Sequence, residues 1–190
     1  MPDSIAPYRR EPTAIAHPLD EFYARSGREL PTINRLLPDD VPPPYRSLLV
    51  HQNDMTSTLE TFHRGRIHLD VVSRDRTNGD YFREVVLRLD GSNKPVEFGA
   101  IKINLALFPN TAQERILQER HPLGRILKEC GITYHSRPQA FLRIVSDSLM
   151  KQLLDLPEAE SLYGRRNTLF DPQERPLADI VEILPPVQKQ

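Results

Sequence analysis

A single cysteine, Cys130, and no tryptophan occur in these 190 residues. A lone thiol excludes an internal disulfide and a cysteine-based zinc site. Glycine is scarce at eight residues. No GxGxxG or P-loop pattern is present, so a Rossmann or P-loop nucleotide site has no support. The nucleophile elbow GxSxG is missing as well. No apolar run is long enough to cross a bilayer, and no basic-then-apolar leader opens the chain. The 25 basic and 26 acidic residues nearly cancel, which removes any whole-chain attraction to nucleic acid or anionic lipid. These absences together lead to the expectation of a cytoplasmic protein without metal, nucleic-acid or membrane partners. His63 and His68 can approach each other across a hairpin, yet no carboxylate sits beside them at metal-ligand spacing, so they read as structural or surface residues.

Proline, by contrast, is abundant at 18 residues. It clusters near the start, at Pro42–Pro44 and at Pro185–Pro186, punctuating elements. Residues 1–17 lack periodicity and are expected to form a flexible arm, with one domain over 18–187. Helices are expected at Leu19–Ser26 and Tyr45–Val50. Asn53-Asp54 reads as a cap, with Met55-Thr56 leading into a strand or short helix. Leu59–His63 and Ile67–Ser73 read as strands flanking a turn at Arg64-Gly65-Arg66. Asn78-Gly79 signals a tight turn before the clearest strand, Tyr81–Leu89. Val96–Phe108 follows as a strand, with Lys102 and Asn104 on a polar face. Thr111–Glu119, opened by a Thr111/Glu114 capping box, Pro122–Glu129 and Ser146–Leu154 read as helices. Phe141–Val145 is a brief strand, and Tyr163–Phe170 and Leu177–Leu184 form a final strand pair. The fold class expected is α+β, a single domain with an antiparallel β-sheet and helices on one side and at the ends.

Two charges interrupt the apolar faces of these strands. Alternation in Tyr81–Leu89 places Arg83 with Tyr81, Val85, Leu87 and Leu89. In Leu177–Leu184 it places Glu182 with Ala178, Ile180 and Leu184. A charged side chain on an inward face loses its water and needs a partner. An inward arginine and an inward carboxyl form either a structural ion pair or the two ends of a ligand site. Arg165-Arg166 admits two readings as well, a solvated strand edge or an anion holder.

Five segments, in order, resemble the chorismate lyase (chorismate–pyruvate lyase) family, which shares its fold with the UTRA ligand-binding domain. They are LLVHQNDMTSTLE at Leu48–Glu60, DYFREVVLRLDG at Asp80–Gly91, HPLGRIL at His121–Leu127, LYGRRNTL at Leu162–Leu169 and RPLADIVEILP at Arg175–Pro185. The resemblance implies a carbon–oxygen lyase of a chorismate lyase/UTRA-like fold. It would eliminate pyruvate from chorismate without a cofactor and leave 4-hydroxybenzoate, a precursor in ubiquinone biosynthesis. It implies that Arg83 holds the ring carboxylate and that Glu182 contacts the oxygen at the ring's other end as acid/base. It also implies that the backbone amides of Met55 and Leu123 touch the substrate.

The match has departures. Counted from Pro176 to Pro185 without a gap, the family's glutamate falls on Val181, one residue before Glu182. A bulge or shifted register brings Glu182 into place, and Asp179 is the fallback carboxylate on the other face. Enteric members follow the central glycine with arginine, where this chain has Gly99-Ala100 and Lys102 is the candidate replacement. The alternative function is a non-catalytic binding module of the same fold for a small aromatic carboxylate. Such sensors normally follow a winged-helix domain, for which residues 1–44 read as too short and too proline-rich.

Overall fold

Alternating sequence and antiparallel turns build a seven-stranded sheet in the computed structural model, which describes residues 15–187. Its strands are β1 (Ile33–Leu36), β2 (Ile67–Thr77), β3 (Asp80–Leu89), β4 (Pro95–Asn104), β5 (His135–Val145), β6 (Ser161–Phe170) and β7 (Pro176–Leu184). They lie in the order β1-β5-β6-β7-β4-β3-β2, and every neighbouring pair is antiparallel. The β2–β3 hairpin closes at Asn78-Gly79, where both residues have positive φ (54° and 86°), the backbone that this dipeptide favours in a two-residue turn. The final strand pair forms as expected, with Glu182 opposite Arg165.

Six α-helices cover the sheet: α1 (Leu19–Arg25), α2 (Tyr45–Leu49), α3 (Met55–His63), α4 (Asn110–Leu117), α5 (Leu123–Glu129) and α6 (Ser148–Leu153). They flank both faces, a wider distribution than the one-sided arrangement expected. On one face, Leu19, Phe22 and Tyr23 of α1 and Met150 of α6 pack on Phe82, Phe98 and Val181. Burial of each large apolar side chain there contributes about 1.5–3 kcal/mol. Tyr23 donates a 2.7 Å hydrogen bond to Asp147, whose other carboxylate oxygen caps α6 through the amide of Met150. On the opposite face, α3 joins Leu87, Val96 and Leu184, while α4 and α5 join Tyr81, Ile101 and Ile103.

Local differences from expectation have physical causes. Leu59–His63 is the second half of α3, not a strand. Asp54 caps the helix by accepting from the amide of Ser57 at 2.8 Å, and Met55, Thr56 and Leu59 bury a helical face. Arg64 then ends it in the left-handed region at φ 53°. α4 begins one residue early, at Asn110, without a side-chain cap, so the Thr111/Glu114 capping box does not form. Of the arm expected at residues 1–17, residues 1–14 lie outside the described residues, whereas Ala16 is buried in the core.

Gly164 in β6 is a point where the sheet admits no side chain. A Cβ there would sit 2.4 Å from the carbonyl oxygen of Glu182 and 3.3 Å from Cα of Ile183. Gly164→Ala is therefore expected to lower stability by about 1–3 kcal/mol, the range for overpacking. Thermal unfolding checks this, and an unchanged midpoint would contradict it.

Candidate functional site

The sheet face under α3 and α5 carries a cavity whose floor is set by strand register. Directly paired residues on antiparallel strands project to the same side. Val85, Gly99, Glu182 and Arg165 form one such row across β3, β4, β7 and β6, and Arg83, Ile101, Ile180 and Asn167 form the next. Gly99 stands in the middle of the first row. A Cβ there would meet Oε1 of Glu97 at 3.1 Å and Val85 at 3.4 Å, so the missing side chain keeps this floor open. The roof consists of Asn53–Thr56 at the start of α3 and Pro122–Gly124 at the start of α5. These two starts touch closely: a Cβ on Gly124 would overlap the Asp54 carboxylate.

The cavity measures about 70 Å³. A cavity of roughly 150 Å³ accepts benzene. A ring therefore enters only if part of the lining moves outward.

Arg83 is 2% exposed. Its Nε and one terminal nitrogen have no hydrogen-bond partner among the described residues. Burial pulls its pKa below the usual arginine range, while the charges of Tyr81 and Glu119 act in the opposite sense. A guanidinium stays protonated in proteins, so this is a desolvated positive charge with unused donors. Glu119 does not fill the fork, since it accepts from Tyr81 and Arg74 instead.

Arg165 is fully buried, and here the solvated-edge reading is corrected. Its Nε donates to Glu182, making a buried ion pair. Its terminal nitrogens donate to the carbonyls of His51 (2.9 Å), Leu49 (3.3 Å) and Asn53 (3.3 Å). All three of its nitrogens are engaged, fastening the 49–53 loop to β6 and holding Glu182. His51 takes part as a neutral ring: Nε2–H donates to Leu48 at 2.7 Å, while Nδ1 accepts from the amide of Asn53 at 3.1 Å. Burial, followed by the charge of Arg165, lowers its pKa.

Glu97 is the second carboxyl of the cavity, 5% exposed, with Oε2 unpaired among the described residues. Burial first, and the Glu182 charge second, raise its pKa well above the ordinary carboxylate range, and Arg165 offsets only part of this. Burial and the neighbouring carboxylate thus both favour the neutral form of Glu97.

The structure brings Arg83, Glu182, Met55 and Leu123 to the same cavity. Arg83 and Glu182 do not pair with each other, because Glu182 is taken by Arg165. One strand separates them, with a two-residue offset. Sheet spacing then puts their Cα atoms roughly 12 Å apart. Val181 is buried in the core on the far face, and Glu182 lines the cavity. Asp179 accepts from Thr168 on that far face, at 2.7 Å. Lys102 cannot replace the enteric arginine, since it pairs with Asp80 at 3.0 Å and lies over Phe82. His68 pairs with Asp90 at 2.8 Å. No group of three or more His, Cys, Asp or Glu among the described residues could hold a metal ion. No helix there is long and apolar enough to cross a membrane.

Glu97, Asn167 and Ser136 also line the cavity and were not singled out from the sequence. Glu97 was within reach, since it shares the alternation of Ile101 and Ile103. Asn167 was not, because Tyr163, Arg165 and Asn167 give β6 a polar appearance on its buried side.

No family model matches the sequence, and no curated protein matches it. Solved structures do match in fold. PhnF from Mycobacterium smegmatis has a TM-score of 0.56 at 11% identity, covering 71% of this chain and 64% of PhnF. Its effector domain alone has a TM-score of 0.54 at 11% identity, covering 69% of this chain and 87% of that domain. A gene product of Staphylococcus aureus has a TM-score of 0.54 at 10% identity, covering 72% of this chain and 90% of the other. At such identities the likeness establishes the architecture alone, an α+β, UTRA-like fold.

The raised pKa of Glu97 makes stability depend on pH. An unfolded glutamate titrates near 4.3. The proton held by folded Glu97 therefore adds stability that is complete below that value and is lost as pH rises through the higher folded pKa. Glu97→Gln cannot lose its amide protons in this way. Thermal unfolding from acid to mildly alkaline pH should show the variant gaining on the wild type as pH rises. Parallel profiles would contradict a protonated Glu97.

Proposed function

We propose that this chain binds a small aromatic carboxylate in the cavity between its sheet and the starts of α3 and α5. The observation that carries this reading is Arg83, a buried guanidinium with unused donors in the lining of a mostly apolar cavity. A planar fork of this kind matches a carboxylate bidentately, and such charge-assisted bonds are stronger in a dry site. Apolar side chains around it, among them Val85, Leu87, Ile101 and Leu123, suit the flat body of a ring. The fold shared with the PhnF effector domain agrees with a ligand-binding role.

A second reading, turnover of chorismate, is favoured by a separate observation. All five segments that resemble chorismate lyases send residues to this one cavity: Met55, Arg83, Leu123, Arg165 and Glu182. In that reaction the carbon–oxygen bond breaks with its electron pair going to the departing enolpyruvate. The ring then loses a proton and becomes aromatic, and the enolpyruvate gains one to give pyruvate. Arg83 would fix the ring carboxylate, and Glu182, oriented by Arg165, would face the ring's opposite end. Closure of the lining around the ring would exclude water.

Two measurements test these readings. In calorimetric titration with benzoate and 4-hydroxybenzoate, Arg83→Met should weaken binding by about 2–5 kcal/mol, at least roughly thirtyfold in Kd. The same variant should unfold at equal or higher temperature, because it removes an unpartnered buried charge. Loss of stability with unchanged affinity would reverse the assignment and make Arg83 structural. Incubation with chorismate separates binding from turnover. Release of pyruvate and 4-hydroxybenzoate, abolished in Arg83→Met, supports the lyase; tight product binding without pyruvate release leaves the binding module.

A further inference from the structure

We infer that Glu97 is the hydrogen-bond donor of the cavity, giving its carboxyl proton to an uncharged hydroxyl or ether oxygen at the ligand end remote from Arg83. The inference rests on the reading that Arg83 takes the ligand's carboxylate, and it adds which chemistry the other end must carry.

Position is the first support. Glu97 lies two residues before Gly99, the partner of Glu182, so the two carboxyls are diagonal neighbours on one sheet face. Both line the cavity. Arg83 pairs with Ile101, four residues along β4 from Glu97, or roughly 13 Å away. The positive and acidic ends of the cavity are therefore well separated.

Hydrogen bonding is the second. Glu182 has its cation, Arg165, whose other donors go to His51, Leu49 and Asn53. None of these hydrogen bonds goes to Glu97, whose Oε2 is buried without a partner among the described residues. The charges that act on Glu97 come from Glu182 on β7, Arg165 on β6 and Asp54 at the start of α3. Two of these three are carboxylates, so a single guanidinium serves a cluster of acids. One proton shared into such a cluster relieves the repulsion, and the group without a cation is the one that holds it. The result is a neutral acid beside a fixed carboxylate. That arrangement favours a ligand oxygen that accepts from Glu97 and disfavours a second anionic group, which Glu182 would repel. The selectivity expected is 4-hydroxybenzoate over benzoate, and benzoate over terephthalate, which bears a second carboxylate at that position.

The test is titration of the wild type, Glu97→Gln and Glu97→Leu with these three probes near neutral pH. The wild type should prefer 4-hydroxybenzoate to benzoate about five- to tenfold, the range of one hydrogen bond. Glu97→Leu should erase that preference and leave benzoate affinity within about twofold, while Glu97→Gln, still a donor, should retain part of it. A purely structural role would move all three affinities together and overturn the inference. Equal wild-type affinity for benzoate and 4-hydroxybenzoate would overturn it too, while leaving Arg83 as the carboxylate clamp. Failure of the wild type to bind any of the probes would remove the clamp reading and this one with it. Infrared difference spectra supply a ligand-free readout: a protonated-carboxyl stretch should disappear in Glu97→Gln, and absence of that band in the wild type would refute the donor.

Discussion

A positive charge held out of water with donors left unpaired is the constraint around which this structure is organised. The fold alone would be better served by an apolar side chain at position 83, since nothing in the described residues uses the Nε and terminal nitrogen that Arg83 presents. Its location removes any accident of the surface: β3 is the second strand from one edge, covered on both faces, and Arg83 is 2% exposed. Donors placed at such expense to stability make sense when an anion arrives to accept from them.

Two buried arginines thus divide the work. Arg165 is held by one carboxylate and three carbonyls, and its bonds hold the loop that delivers Asp54 and Met55 to the roof. Arg83 is left with donors to spare. Between them, Gly99 contributes by having no side chain, because any Cβ in that row would press on Glu97 and Val85. A polar cluster at one end, a cation at the other and apolar walls between them define a ligand with unlike ends.

Much of this was legible in the chain. Alternation in Tyr81–Leu89 and in Leu177–Leu184 located Arg83 and Glu182 on buried faces, and the asparagine–glycine turn fixed the hairpin that registers β3. The α+β class and the antiparallel sheet followed from the same signals. What stayed hidden depended on tertiary pairing. Strand order, which interposes β4 and β7 between β3 and β6, has no local signature, so the row that joins Val85 and Gly99 to Glu182 and Arg165 was not visible. Leu59–His63 misled because Arg64-Gly65-Arg66 before Ile67–Ser73 resembles a hairpin turn, while the capping bond of Asp54 and the buried face of Met55 and Leu59 decided for helix. Helices on both faces were likewise missed, because α1 and α6 are short and their partners, Phe82, Phe98 and Val181, lie far away in sequence.

The most direct measurement of the central claim is the nitrogen-15 and proton NMR of the arginine side chains during titration with 4-hydroxybenzoate. Arg83 Nε–H should shift strongly and gain protection from solvent exchange as a carboxylate occupies its fork, while Arg165 Nε–H, already bonded to Glu182, moves little. Binding that leaves the Arg83 signal unmoved would contradict the account, because the carboxylate would then be held somewhere else.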